Sequence, residues 1–387
     1  MTYYLLPKTS INIQKHINIF FDDELPVINL SFSLSKYLSL MKEKIDLFCE
    51  DWDNFKRYTN PYEFIHTIIP NKNKSVCKYK PLSRSYFKMI EIIHLLKINI
   101  NDNNKINSFH LAEGPGGFIE ALAQLRNNPN DRYIGMTLID DNDSNIPGWK
   151  KSNIFLNKYT NVKIENGMDK TGNLLSIDNF NYCYVNYANS MDIITADGGF
   201  DFSHDFSKQE INISQLLFSQ IAYAIIMQKK GGCFILKIFD CFMQHTIDLL
   251  CILCSFYDKV YIVKPNTSRY ANSEKYIVCK NFNFYQNSQY YYDIFYKPFC
   301  NMVNTEDKYI KRFLNIDISL HFISKLQEYN AIFGQQQLEN IYHTFTIIHN
   351  KSKMDKYHSN IRNNILKCIN WCNKYGLETN NTSILID

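Results

Sequence analysis

FHLAEGPGGFIEA, residues 109–121, changes character twice within a few positions. Phe109-His110-Leu111-Ala112 reads as the end of a buried strand and Gly114-Pro115-Gly116-Gly117 as a tight turn. Phe118-Ile119-Glu120-Ala121-Leu122 opens a helix. Glycines at such a corner let the backbone approach a ligand where a side chain would stand in the way. The helix start behind them offers unpaired N–H groups and the positive end of the helix dipole. The corner therefore suits a nucleotide or the carboxylate of an amino-acid-like cofactor. It also recurs as plain structure in many α/β folds. Neither the dinucleotide fingerprint G-x-G-x-x-G nor the P-loop G-x-x-x-x-G-K-[ST] is matched.

Outward from this corner, strand and helix patterns alternate between residues 106 and 285. Strands are predicted at 108–112, 132–138, 192–196, 232–239, 259–264 and 275–279, and helices at 117–126, 211–229 and 244–256. Such alternation gives an α/β fold, a mostly parallel sheet flanked by helices. Ligands of these sheets sit beyond the carboxyl ends of the strands, where Glu113, Asp140, Asp197 and Lys237 fall. Residues 1–77 lack glycine-rich turns and read as an accessory region, helix-biased over 37–65. Its aromatics, Trp52 among them, are either core or a substrate-positioning surface. Residues 286–387 open with Tyr290-Tyr291-Tyr292 and continue with helical periodicity.

Composition narrows the class. A net charge of +4 on 387 residues permits contact with an anionic polymer without requiring it, so any basic surface must be local. Eleven scattered cysteines and no secretory pattern over residues 1–10 predict a reducing compartment. Cys251-x-x-Cys254 lies in an apolar run without a second pair at metal spacing, so it reads as core helix and no metal is expected. The longest apolar runs, 215–227 and 247–256, fall short of a membrane span, and a soluble protein is expected.

Four ionisable residues stand out. Lys88 lies early in a helix predicted from Ser83-Arg84-Ser85-Tyr86-Phe87-Lys88, where a cation gains nothing from the dipole. A solvated lysine is its ordinary account. Asp197 closes the apolar run Ile193-Ile194-Thr195-Ala196, just before Gly198-Gly199. Lys237 comes late in a continuous apolar strand, so it must reach solvent or a partner. Glu274 precedes Tyr276-Ile277-Val278. Each alone is a strand-end charge; together they offer two bases and two acids that can converge on one pocket.

Ser83-Arg84-x-x-Phe87-Lys88, followed in order by Asp197, Lys237 and Glu274, resembles the K-D-K-E tetrad of FtsJ-type RNA ribose 2′-O-methyltransferases. Gly135-Met136-Thr137-Leu138, Ala196-Asp197-Gly198-Gly199-Phe200, and Lys264-Pro265-Asn266-Thr267-Ser268-Arg269 with Ala271-Asn272-Ser273-Glu274 are similar to signatures of its cap-specific branch in eukaryotes and large DNA viruses. Gly167-Met168-Asp169-Lys170-Thr171-Gly172-Asn173 resembles its G-x-D-x-x-G-D loop, with Asn173 in place of the last acid. The resemblance implies a Rossmann-like methyltransferase core over 78–285, a seven-stranded mostly parallel sheet with helices on both faces. It implies S-adenosyl-L-methionine as cofactor. Glu113, Gly114, Pro115, Gly116, Gly117 and Phe118 would meet the methionine and ribose portions, Asp169 the adenosine end and Asp140 the ribose hydroxyls.

On the same resemblance Lys237 is the general base, which requires a neutral amine when the hydroxyl arrives. Asp197 orients the amine and the hydroxyl, and Glu274 balances Lys88. The implied substrate is the 5′ end of capped mRNA. Arg84 and Arg269 are candidates for its phosphates, and Tyr86, Trp52, Phe200 and Phe202 for stacking on the cap guanine. Other capping or transcription proteins are expected partners, in the cytoplasm or a viral factory, or in the nucleus of a cell. Two other readings stay open: an rRNA or tRNA ribose methyltransferase, and a non-catalytic RNA-binding subunit retaining the fold.

Overall fold

The strands foreseen between residues 106 and 285 pair with one another, and the ends of the chain wrap around them. The fold is seen in a computed structural model that describes residues 2–98, 104–140, 142–143, 146, 148–199, 208–351 and 354–381. The N-terminal stretch supplies β1 (Thr2–Leu5), β2 (Ile17–Asp22), α1 (Phe32–Asp46) and α2 (Cys49–Thr59). The core follows with α3 (Ser85–Leu95), β3 (Asn107–Leu111), α4 (Gly117–Arg126), β4 (Arg132–Met136), α5 (Asn153–Lys158), β5 (Val162–Ile164), α6 (Ile177–Tyr187) and β6 (Met191–Ala196). It continues with α7 (Gln209–Asn212), α8 (Ser214–Met227), β7 (Gln228–Ile238), α9 (Gln244–Phe256), β8 (Tyr257–Lys264) and β9 (Lys275–Phe282). Last come α10 (Ser288–Val303), β10 (Tyr309–Leu314), α11 (Leu320–His349) and α12 (Met354–Lys374).

The large sheet has eight strands in the order β1-β8-β9-β7-β6-β3-β4-β5. From β5 to β7 every pairing is parallel. Beyond β7 the sheet turns antiparallel, because residues 265–274 are too short for a crossover and β9 folds back between β7 and β8. The eighth strand comes from a region read as accessory: β1 pairs antiparallel with β8 at the sheet edge. The helix predicted over 211–229 is two, α7 and α8, and its last residues belong to β7.

Alternation along the strands sorts side chains onto two faces. Phe109, Ile194, Phe234, Leu236 and Ile277 pack with α6, α8, α9 and α10, and Cys251 and Cys254 are buried there. Ile193, Ile235, Tyr276 and Val278 pack on the opposite face with α3, α4 and the end of α12. Lys237, two residues after Ile235, points toward the α3 side. Parallel register brings Leu111, Met136, Ala196 and Leu236 level, so the loops that follow β3, β4, β6 and β7 share one edge.

The two flanking regions are interleaved. Thr59 and Thr344 share a hydrogen bond of 2.8 Å, Asn364 Nδ2 donates to the Tyr58 carbonyl at 2.8 Å, and β2 pairs with β10. Among the described residues no helix is long and apolar enough to cross a membrane.

Candidate active site

The glycine corner is held shut from inside. Glu113 Oε1 accepts hydrogen bonds from the Phe118 and Ile119 N–H groups at 2.7 and 3.1 Å, so this side chain takes the first free donors of α4. Burial, then the charge of Asp197, pushes the Glu113 carboxyl well above the usual carboxylate range against those two N–H bonds and the charge of Lys237. Gly116 has φ +113°, a conformation that favours glycine, and a side chain there would meet Leu82 and Trp149. At Gly117 a Cβ would collide with the Ser83 and Ser85 hydroxyls and stand 3.1 Å from the Tyr86 nitrogen, so glycine lets α3 and α4 start in close contact. Gly117→Ala is expected to destabilise the fold by about 1–3 kcal/mol as α3 is pushed away. Chemical denaturation would show it as a lowered midpoint.

The four ionisable residues meet as two ion pairs at one edge of the sheet. Lys237 Nζ donates to the Asp197 carbonyl at 2.6 Å and lies 3.5 Å from its carboxylate. Lys88 Nζ donates to Glu274 at 2.8 Å, reaching it from α3. Burial disfavours the Glu274 charge, but Lys88 and Lys237 outweigh it and hold the carboxyl well below its usual range. Ser268 Oγ donates to the same carboxylate at 2.7 Å. Tyr276 joins the pairs: its hydroxyl donates to Asp197 Oδ1 at 2.8 Å, its ring lies 5.8 Å from Lys88 Nζ, and Phe118 of the glycine corner packs on it. Sequence reading missed Tyr276, which the pairing of β9 with β7 sets opposite Lys237. It also missed Lys264, a buried lysine bound to the Asn272 and Glu274 carbonyls at 2.7 Å, which folds the 265–274 loop.

Residues 81–282 match the FtsJ-like methyltransferase family. The chain belongs to this family. A cap-specific mRNA (nucleoside-2′-O-)-methyltransferase 2 of Pongo abelii is 27% identical over 81% of this chain and 41% of its own length. A cap-specific mRNA (nucleoside-2′-O-)-methyltransferase 1 of Leishmania braziliensis is 34% identical over 48% of this chain and 46% of its own length. A probable methyltransferase of African swine fever virus is 28% identical over 52% of this chain and 49% of its own length. The chain thus spans about half, or less, of the length of these relatives.

Around this FtsJ-like site the remaining candidates fall in different places. Asp169 Oδ1 is occupied by the Thr171 N–H and hydroxyl of its own loop and by Asn179 Nδ2 of α6, at 2.7–2.9 Å. Asp140 is half-buried and accepts the Asn142 N–H at 2.8 Å. Tyr86 does not present a ring to a ligand: it is 1% exposed and its hydroxyl donates to Gln124 at 2.6 Å. Trp52 is likewise core, packed against Phe345. Phe200 and Phe202 lie outside the described residues. Arg84 and Arg269 both turn to Glu63 rather than outward, at 3.6 and 2.7 Å. A cavity of about 370 Å³ opens beside Arg84, walled by Lys74, Lys80, His66 and Tyr79 with no carboxylate in its lining. A larger one, about 560 Å³ between α8, α10 and β10, touches none of these residues.

Proposed function

We propose that the chain transfers the methyl group of S-adenosylmethionine to a ribose 2′-hydroxyl at the 5′ end of capped mRNA. The observation that carries this reading is the convergence of Lys88–Glu274 and Lys237–Asp197 beside the glycine corner. The names of the Pongo abelii and Leishmania braziliensis relatives support the substrate.

The corner fits a polar cofactor. Two buried atoms that border it, Glu113 Oε2 and Trp149 Nε1, have no partner among the described residues, leaving one carboxyl oxygen and one N–H donor for a ligand. Glu113, Trp149 and the Gly114–Gly117 backbone would hold it, with Asp169 and Asp140 toward its nucleoside. When bound, the cofactor supplies an activated methyl group on a sulfonium sulfur.

The residues of the chain supply orientation and one proton transfer. Lys237 would accept the 2′-hydroxyl proton at Nζ as the oxygen attacks, a role that requires a free amine at that moment. The Asp197 carbonyl and carboxylate fix the direction of that amine, and the Tyr276 hydroxyl fixes the carboxylate. Glu274 compensates Lys88, which keeps a cation close to the reacting oxygen without leaving it unpaired. Positioning supplies most of the acceleration, because the leaving group is already activated. The cationic cavity beside Arg84 suits RNA phosphate, and its Tyr79 and His66 rings offer stacking surfaces in place of Tyr86.

Transfer of labelled methyl to three matched RNAs tests the reading: 7-methylguanosine-capped, capped without the guanine methyl, and uncapped. Label confined to capped RNA is expected. Equal label on uncapped RNA would move the activity to internal ribose, no label despite cofactor binding would point to a missing partner or a different RNA, and no cofactor binding at all would favour a non-catalytic subunit.

A further inference from the structure

Glu63 lies in a short 3-10 turn (Glu63–Ile65), before the first residue of the family match, and is 2% exposed. Its carboxylate is saturated. Oε1 accepts Arg269 Nη2 at 2.7 Å and the Thr67 hydroxyl at 3.0 Å; Oε2 accepts Arg269 Nε at 3.1 Å and Asn60 Nδ2 at 2.9 Å. Arg84 Nη2 stands 3.6 Å from Oε2. Burial works against this charge, but the Arg269 hydrogen bond and the charges of Arg84 and Arg269 overcome it and hold the carboxyl well below its usual range.

The two arginines belong to the two halves of one catalytic ion pair. Arg84 starts α3 one turn before Lys88, and Arg269 lies in the loop that ends at Glu274. Three further bonds cross the same seam. Arg84 Nη2 donates to the Thr267 carbonyl at 3.3 Å, and Glu91 of α3 accepts the Thr267 N–H at 2.9 Å and the Thr267 hydroxyl at 2.8 Å. Asn60, three residues before Glu63, accepts the Tyr270 N–H at 3.2 Å. Without the carboxylate, two guanidinium groups would face each other in a largely buried space, and repulsion would open the seam.

We propose that Glu63 is a positioning residue for methyl transfer: one buried carboxylate clamps Arg84 to Arg269 and so sets the Lys88–Glu274 pair from outside the FtsJ-like segment. The rate consequence rests on the methyltransferase reading above.

Glu63→Gln keeps the shape and removes the charge. Its kcat is expected to fall at least tenfold while affinity for S-adenosylhomocysteine stays within twofold of wild type, since no bond of Glu63 touches the glycine corner. Glu63→Asp, which keeps the charge, should recover part of that loss. Arg269→Lys keeps the charge but loses the planar fork that fits both carboxylate oxygens, and should reproduce the drop, which covers the case of a Gln variant that does not fold. Unchanged kcat, or equal loss of kcat and cofactor affinity, would overturn the clamp.

A second readout needs no turnover. Lys88 is 12% exposed in its pair, so reductive methylation with formaldehyde should mark it in Glu63→Gln or Arg269→Lys and spare it in wild type. Equal protection in all three overturns the clamp whatever the activity. A wild-type protein that methylates no RNA, yet shows this labelling difference, would remove the methyltransferase reading and leave the clamp standing.

Discussion

Lys237→Ala should lower methyl transfer by about 10²–10⁴-fold, the range for loss of a positioned general base, with affinity for S-adenosylhomocysteine nearly intact. The geometry makes the two effects separable. Lys237 spends its hydrogen bonds on Asp197, and the bonds that close the glycine corner run between Glu113 and the Phe118 and Ile119 N–H groups. Lys237→Arg should fail as fully as alanine, because a guanidinium keeps its proton at any working pH. A role limited to neutralising Asp197 would predict the opposite, with arginine active. Single-turnover transfer to capped RNA, with cofactor affinity measured on the same preparations, decides between them. Wild-type turnover in Lys237→Ala would remove Lys237 from the chemistry.

The signals behind this site were local, which is why the sequence displayed them. Gly114 to Gly117 break a strand and start a helix, and α4 and α9 occupy the ranges expected for them. Lys237 and Asp197 end apolar runs, so their partners had to lie at the same sheet edge. What the sequence hid depends on distant contacts. β1 is four residues whose only cue is an open edge on β8, more than 250 positions away. α3 is buried on nearly every side, so no period separated Tyr86 from a ligand-facing aromatic. Glu63 was not among the residues singled out from the sequence. Nothing within its own segment announces two arginines approaching from α3 and from the loop before β9.

Asp248→Ala should produce the largest loss of stability, on the order of 3–5 kcal/mol, although it touches no candidate catalytic residue. Asp248 is fully buried on α9 and joins the core to the C-terminal region. Its Oδ2 accepts Arg312 Nε at 3.0 Å and the Phe313 and Leu314 N–H groups at 2.8 and 3.2 Å; Oδ1 accepts Arg312 Nη2 at 3.1 Å and Gln244 Nε2 at 2.9 Å. Burial raises the pKa of this carboxyl, and Arg312 only partly offsets the rise, so charge attraction is the weaker half of the account. The stranded Arg312 is 27% exposed and would be partly rehydrated, whereas the two N–H groups of β10 would stay dry at roughly 1–3 kcal/mol each. The two contributions can be told apart. Adding Arg312→Met to Asp248→Ala removes the orphaned charge and leaves the orphaned N–H groups, so it should restore less than half of the loss. Denaturant midpoints of the two single variants and the double would measure that share. Full recovery in the double variant would mean that the ion pair, and not the capped backbone of β10, fastens the C-terminal region to α9.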